Sequence, residues 1–220
     1  MAEHVCDKEL PMASYDQQSV ELFKQKAVPV SITVVEVKDL RAAMTYAVEV
    51  CEKKEFCQLL LPGCELPLSK AGEAQCQRAE TKTLAAPGLD DKEYAALKKL
   101  GEAQGFVMLR SGMREHLAGI DVTFSTASKA IAETATSILE SMSEDLRLAT
   151  MICESHVIAL NKSDIFKTSF DAEAFLQNCM EAGPGYTAFI SGASRTADIE
   201  RVLTIGVHGP LELHVALMEG

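Results

Sequence analysis

Short apolar runs alternate with helix-periodic segments along this chain, and that alternation limits the folds it can adopt. Residues 30–37 are rich in β-branched side chains and predict a buried strand. Residues 38–54, with Asp39 placed to cap them, repeat apolar side chains at helical spacing. Residues 57–61, ended by a Pro-Gly pair, predict a second strand. Strand, helix and strand in this order predict parallel pairing through a right-handed crossover.

The same alternation continues through the rest of the chain. One helix is predicted over residues 16–26. A second is predicted to begin at the capping box of Asp90 and Glu93, and a third to begin after Asp171, which is placed as its N-cap. Residues 127–132 are compatible with a helical turn. Further strands are predicted over residues 81–86, 106–109, 120–124, 137–139, 156–160, 187–190 and 211–218. We therefore expect a three-layer α/β fold with a mainly parallel sheet.

Charge and composition weigh against several classes of partner. The formal net charge is −11 over 220 residues, whereas nucleic-acid affinity comes mainly from basic side chains that neutralise phosphates. The same acidity disfavours an anionic membrane surface, and no apolar run reaches the roughly 18 residues that span a bilayer. Trp is absent and aromatic residues make up 5%, so an aromatic stacking platform is not expected. We expect neither a nucleic-acid nor a membrane partner.

The first residues and the cysteines predict a cytoplasmic protein without a metal centre of its own. Residues 1–10 are charged and lack the apolar region of a signal peptide. The seven cysteines are an odd number and no two have C-x-x-C spacing, which suits a reducing compartment. Iron–sulfur clusters need closely spaced thiolates, and wide spacing likewise disfavours a metal site at Cys57, Cys64 and Cys76. We expect no cofactor in this chain.

A first polar segment, residues 130–141, includes a carboxylate next to two threonine hydroxyls among small residues. These candidate site residues are Glu133, Thr134 and Thr136. In open α/β sheets, ligands bind at loops beyond the carboxyl ends of strands, and we expect this segment there. Glu133 is the candidate catalytic residue. The alternative is an ordinary solvated carboxylate, because a catalytic base needs a shifted pKa and a substrate within reach.

A second polar segment, residues 190–210, follows a predicted strand and is expected at the same kind of edge. Its candidate ligand-binding residues are Gly192, Ser194, Arg195, Thr196, Asp198 and His208. Gly192 permits unusual backbone angles, and the Arg195 guanidinium suits a carboxylate or phosphate. Thr196 is placed to cap a helix beginning at residues 197–198, whose N–H groups favour an anion. The alternative is an ordinary helix start, since Ser, Thr and Asp commonly cap helices.

The histidines admit more than one role. His208 lies in the tight loop of residues 206–210, where its imidazole is either an acid–base or ligand-binding group or a structural one. His156 begins an apolar strand and His214 lies on the polar-facing side of another, so both are predicted to be structural. The chain has no H-E-x-x-H, P-loop, G-x-G-x-x-G or G-x-S-x-G motif, which weighs against nucleotide-binding and hydrolase functions.

Together, these segments resemble the LUD (lactate-utilisation) family. A family pattern close to A-I-A-E-T-G-T corresponds to residues 130–136, and one close to T-G-P-S-R-T-A-D-I-E corresponds to residues 191–200. The G-V-H-G-P pattern corresponds to residues 206–210, and order and spacing match from about residue 105 onward. Ala135 stands where the family has Gly, and Ala193 where it has Pro. An alanine disfavours a positive φ, and losing the proline loosens the loop at residue 193.

The resemblance implies a fold like the NagB/RpiA/CoA-transferase-like group, with a LUD domain over residues 30–220 behind a tail and short helix over residues 1–29. It also implies a role in oxidising L-lactate to pyruvate, as the short, non-redox subunit of a cytoplasmic complex. Iron–sulfur clusters are then expected in partner subunits. One alternative is a stand-alone binding protein or enzyme for a small carboxylate or phosphate metabolite, and another is an assembly module without a ligand. Enzymatic turnover stays open, and a homodimer is expected on base rates.

Overall fold

The computed structural model of the chain describes residues 16–54, 81–117, 119–183, 185–196, 204–205 and 209–219. The helices of this part are α1 (Gln17–Ala27), α2 (Leu40–Lys53), α3 (Asp91–Ala103), α4 (Glu144–Ile152) and α5 (Glu173–Glu181). The strands are β1 (Ile32–Val37), β2 (Thr83–Ala85), β3 (Val107–Leu109), β4 (Ile120–Thr126), β5 (Lys129–Ile131), β6 (Thr136–Glu140), β7 (Cys153–Asn161), β8 (Ile165–Phe166), β9 (Thr187–Ile190), β10 (Arg195–Thr196), β11 (Thr204–Ile205) and β12 (Glu212–Met218). None of the described helices is long and apolar enough to cross a membrane.

Six of the described strands form one sheet in the order β1-β12-β7-β4-β2-β3, and each of these pairings is parallel. All residues of β7 except Asn161 are buried, as expected for a strand covered on both faces. β12 lies between β1 and β7, with Leu213 opposite both Ile32 and His156. The predicted α/β class with a mainly parallel sheet is confirmed.

Each face of this sheet carries its own apolar core. On one face, Met44 of α2 and Leu97 of α3 pack in one cluster with Phe124 of β4. On the other face, Phe23 of α1 and Leu139 of β6 belong to a second cluster with buried residues of β7 and β12. Full burial of such a side chain contributes roughly 1.5–3 kcal/mol, so both layers hold the sheet in place.

The layer over the second face is a smaller sheet in the order β8-β5-β6-β9. β6 pairs antiparallel with β5, Ser137 opposite Ala130, and also with β9, Ser137 opposite Ile190. The two polar segments of the sequence are therefore neighbours. The prediction that they follow strands of the parallel sheet is wrong, because β5, β6 and β9 belong to this mixed sheet.

Local sequence rules predict most of the described helix starts. Asp16 and Asp39 cap α1 and α2 through their side chains, and Asp90 and Glu93 form both bonds of the capping box of α3. Each side-chain cap satisfies a backbone N–H that has no partner within the helix. The strand predicted over residues 57–61 lies outside the described residues.

Three local predictions are wrong or incomplete. The segment compatible with a helical turn forms strand β5, because it pairs with β6, and the turn follows at Ala132–Thr134. Asp171 accepts bonds from the backbone and hydroxyl of Thr168, so it closes the turn before α5 rather than capping the helix. α4 has no counterpart in the sequence-based prediction, although Ser143 caps it.

Two histidines occupy structural positions in the sheet. His156 is fully buried in β7, and its Nε2 lies 2.8 Å from Ser125 Oγ. Burial lowers the pKa of His156 to about 3. His214 Nδ1 lies 2.9 Å from the hydroxyl of Tyr46, and burial also lowers the pKa of His214. Both imidazoles are therefore neutral at pH 7.

The buried His156 predicts a loss of stability in mild acid. In the unfolded chain it takes up a proton near pH 6.5, whereas the folded chain resists protonation until about pH 3. Its contribution is complete above pH 6.5 and falls as the pH drops toward 3, by about 2 kcal/mol between pH 7 and pH 5. Urea denaturation of the natural chain and of His156→Gln measures this difference. Equal losses in the two proteins would contradict the prediction.

Candidate functional site

The two polar segments meet a third segment at one surface. Residues 191–195 contact the turn of residues 28–31 through Gly192 and Arg195, and they contact residues 132–136 through Ser191. We call these residues, 28–31, 132–136 and 191–195, the three-segment site. They are far apart in sequence, and the pairing of β6 with β9 brings the last two together.

Three hydroxyls at this site form a continuous chain. Thr136 Oγ1 lies 2.7 Å from Thr134 Oγ1 and 2.6 Å from Ser191 Oγ. Thr136 is buried, whereas Thr134 and Ser191 are exposed. Two of the three hydroxyl protons form the internal bonds, so one proton remains to be donated at one exposed end. The chain therefore presents a donor at one end and an acceptor at the other, and it can reverse direction to suit a bound molecule.

The backbone of the three-segment site is strained. Ala135 has φ 49° and Ser31 has φ 58°, and these are the non-glycine residues of positive φ in the described part of the chain. Such a conformation costs a residue with a Cβ roughly 1–2 kcal/mol, and it is concentrated at functional sites. Ala135 thus adopts a backbone conformation that a glycine would suit better, and the loop forms with alanine there.

Gly192 permits a close approach between two of the segments. A Cβ at this position would lie 2.4 Å from the carbonyl oxygen of Val30, and Gly192 itself has φ 94°. The neighbouring Ala193 is buried. Any larger residue at position 192 would force the loop away from the turn of residues 28–31.

Arg195 clamps the same turn. Its Nη2 donates to Ser31 Oγ at 2.6 Å and its Nη1 donates to the Pro29 carbonyl oxygen at 3.3 Å. The side chain is exposed, and a guanidinium has five N–H groups, so it retains donors for an anion while it holds the turn. Ser194 anchors the loop from its other side, since its backbone N–H donates to the Pro210 carbonyl at 2.8 Å.

Glu133 is held by a single serine. Its Oε1 accepts bonds from the backbone N–H and the hydroxyl of Ser169, at 2.7 and 2.6 Å. The hydroxyl bond and then the backbone bond lower the pKa of Glu133, so it is ionised and a weaker base than an ordinary glutamate. This geometry favours an anchoring role for Glu133 over proton abstraction.

Several predicted site residues lie partly or wholly outside the part of the chain that the structure describes. The backbone of Thr196 lies in β10, which pairs antiparallel with β11, and the helix predicted after it lies outside the described residues. Asp198, His208 and the cysteines at positions 57, 64 and 76 also lie outside them. Among the residues that the structure describes, no group of His, Cys, Asp or Glu side chains is placed to hold a metal ion.

Sequence reasoning does not single out three residues that the site uses. Ser31, Ser169 and Ser191 are the partners of Arg195, Glu133 and Thr136. Serine is common in loops, and each of these contacts joins segments distant in sequence. The one usable indication is register, because pairing Ser137 with Ile190 brings the preceding Thr136 close to Ser191.

Comparison with known proteins finds one family over most of the chain. The family described as the LUD domain matches residues 20–218. A lactate utilization protein C of Geobacillus thermodenitrificans is 32% identical over 98 residues, which are 43% of this chain and 40% of that protein. Lactate utilization protein C 1 of Bacillus mycoides is 34% identical over 97 residues, covering 43% and 41%. An uncharacterized protein of Neisseria meningitidis is 34% identical over 102 residues, covering 45% and 42%.

These alignments span about two fifths of the length of the curated relatives. A solved structure extends the similarity over the whole fold. The crystal structure of a DUF162 family protein from Deinococcus radiodurans covers 91% of this chain and 96% of its own, with a TM-score of 0.52 and 19% identity. At that identity the likeness concerns the fold alone.

The close approach at Gly192 predicts a sharp difference between two glycine substitutions. Gly192→Ala introduces a Cβ beside the Val30 carbonyl, whereas Gly105→Ala, at φ 79°, meets nothing within 4 Å. Both substitutions strain the backbone, so we expect a loss of about 1–2 kcal/mol for Gly105→Ala and at least about 2 kcal/mol more for Gly192→Ala. Urea denaturation measures both. Equal losses would mean that the loop does not approach the turn.

The left-handed conformation of Ala135 predicts an unusual tolerance of glycine. Ala130→Gly in β5 removes a fully buried methyl group from extended backbone and should cost about 1–2 kcal/mol. Ala135→Gly removes an equally buried methyl group but also relieves the positive φ, so its cost should be about 1 kcal/mol smaller. Thermal or urea unfolding of the pair checks this. A larger loss for Ala135→Gly than for Ala130→Gly would refute it.

Proposed function

The chain belongs to the LUD-domain family, and we propose that it acts in lactate utilisation. The observation that carries this proposal is the match to two proteins named lactate utilization protein C and C 1, at 32% and 34% identity. The matched residues 20–218 include the whole three-segment site.

We further propose that the chain is a non-redox subunit of a cytoplasmic complex that oxidises L-lactate to pyruvate. This oxidation removes two electrons and two protons from lactate, so it requires an electron acceptor. We assign electron transfer to partner subunits that carry iron–sulfur clusters. The support from this chain is its sequence, in which no two of the seven cysteines have the close spacing of cluster ligands.

The three-segment site has groups that can bind a small carboxylate. The hydroxyl chain of Thr134, Thr136 and Ser191 offers a donor and an acceptor, which match the carboxylate and the hydroxyl of a 2-hydroxy acid. Arg195 adds positive charge to the loop that also carries Ser191, and its bonds to Pro29 and Ser31 use only part of its five N–H groups. We propose that these residues bind the substrate or product, with Glu133 anchored to Ser169.

A second candidate function is a stand-alone binding protein or enzyme for a small carboxylate or phosphate. The hydroxyl chain and Arg195 favour it, because all of them come from this chain and need no partner to complete an anion site. The two candidate functions predict different effects of deleting the gene on growth with L-lactate.

Deletion of the gene in the native cell tests the proposed function. We expect the deletion strain to lose growth on L-lactate as the sole carbon source and to keep growth on pyruvate, because pyruvate enters metabolism after the oxidation. Re-expression of the chain is the control and should restore growth. Unimpaired growth on L-lactate would overturn the proposal and favour the second candidate.

Purification from the native cell tests the complex. A tagged copy expressed at its natural level should bring down polypeptides with the visible absorbance and electron paramagnetic resonance of iron–sulfur clusters. Recovery of the tagged chain alone, from cells growing on L-lactate, would contradict the subunit assignment.

A further inference from the structure

A groove of about 450 Å³ lies between α1 and β1, and Val28 is the one described lining residue that it shares with the three-segment site. Val28, Ile32 and Val34 form its aliphatic part, and Lys24 and Glu36 form its charged part. We call it the α1–β1 groove. Its volume is within the range of small-molecule sites, which are mostly apolar with a few polar groups.

In the charged part of the α1–β1 groove, two lysines share one glutamate. Glu36 accepts a bond from Lys162 Nζ at 2.5 Å and pairs with Lys24 as well. These two ammonium groups lower the pKa of Glu36 to about 2, so its charge is firmly neutralised. Lys162 is buried behind Glu36, whereas Lys24 lines the groove itself.

Lys24 has one further partner, Glu21, which would compete only weakly with a bound anion for the Lys24 ammonium group. Glu21 lies one turn earlier on α1, with its carboxylate 3.0 Å from Lys24 Nζ and its side chain 58% exposed. Exposed pairs of this kind contribute about 0–1 kcal/mol, because water screens them and both side chains lose freedom. An anion entering the groove can therefore replace Glu21 at Lys24 at little cost.

The aliphatic part of the groove is partly open to solvent. Val28 is 76% exposed, Val34 is half-buried and Ile32 is buried beneath them. A single exposed valine is common at protein surfaces, but here three aliphatic side chains line one groove that ends at a lysine. Covering them removes apolar surface from water at about 25 cal/mol per Å².

We propose that the α1–β1 groove binds an aliphatic monocarboxylate, whose carboxylate meets Lys24 and whose hydrocarbon chain lies on Val28, Ile32 and Val34. This site is separate from the residues assigned to lactate utilisation and does not depend on that assignment. The groove adjoins the three-segment site at the turn of residues 28–31. Val28 lines the groove, while Pro29 and Ser31 accept hydrogen bonds from Arg195.

Binding of hexanoate to the full chain tests the proposal. Titration at constant ionic strength, followed by amide NMR shifts, should give saturable binding in the millimolar range, with the shifts centred on residues 24–36. Acetate carries the charge without the chain, and hexanol carries the chain without the charge. Both should bind at least tenfold more weakly than hexanoate. Equal responses to all three probes, or no shifts in these residues, would overturn the proposal.

Two variants and a matched control locate the binding. Lys24→Met keeps the aliphatic stem and should weaken hexanoate binding at least tenfold, whereas Lys53→Met should leave it unchanged. Lys53 is a suitable control because it is also a helix lysine paired with a glutamate, Glu49. Val34→Thr nearly keeps the side-chain shape and should weaken hexanoate binding several-fold, because it places a hydroxyl in the aliphatic part of the groove. Unchanged hexanoate binding in both folded groove variants would refute the assignment.

Discussion

The arrangement depends on the parallel pairing of β12 with two neighbours, β1 and β7. This strand joins the edge strand β1 to the buried centre of the sheet, although β1 and β12 are far apart in sequence. Forming such a pairing costs loop-closure entropy before any contact compensates for it. The compensation comes from buried side chains on both faces of β12, Leu213, Val215 and Leu217 on one and Ala216 and Met218 on the other.

The same pairing assembles the three-segment site. Because β12 lies beside β1, the residues that lead into β12 lie near the turn that leads into β1. Ser194 bonds to Pro210 ahead of β12, and Arg195 bonds to Ser31 ahead of β1, so one short loop is fastened to the starts of both strands. The positive φ of Ala135 and Ser31 is held by these surroundings, which explains how strained residues persist at the site.

Local rules predict much of the fold and little of the site. The β-branched run of β1, the cap Asp39 and the capping box of α3 depend on near neighbours in sequence, and the structure shows each of them. Whether a strand joins the large or the small sheet depends on partners distant in sequence, so the pattern of residues 187–190 predicts the strand β9 but not its place in the small sheet. The family motifs point to two segments that the fold brings together, but the partners of Arg195 and Glu133 emerge only once the chain is folded.

In the proposed function, the hydroxyl chain of the three-segment site serves lactate utilisation. The most direct measurement is growth on L-lactate of a deletion strain that expresses Thr136→Val, which removes the middle hydroxyl of the chain. Thr150→Val is the matched control, because it removes the hydroxyl of a buried threonine of α4 that bonds within its own helix. With both variants expressed and folded to equal levels, the Thr150→Val strain should grow and the Thr136→Val strain should not. Full growth with Thr136→Val would contradict the claim.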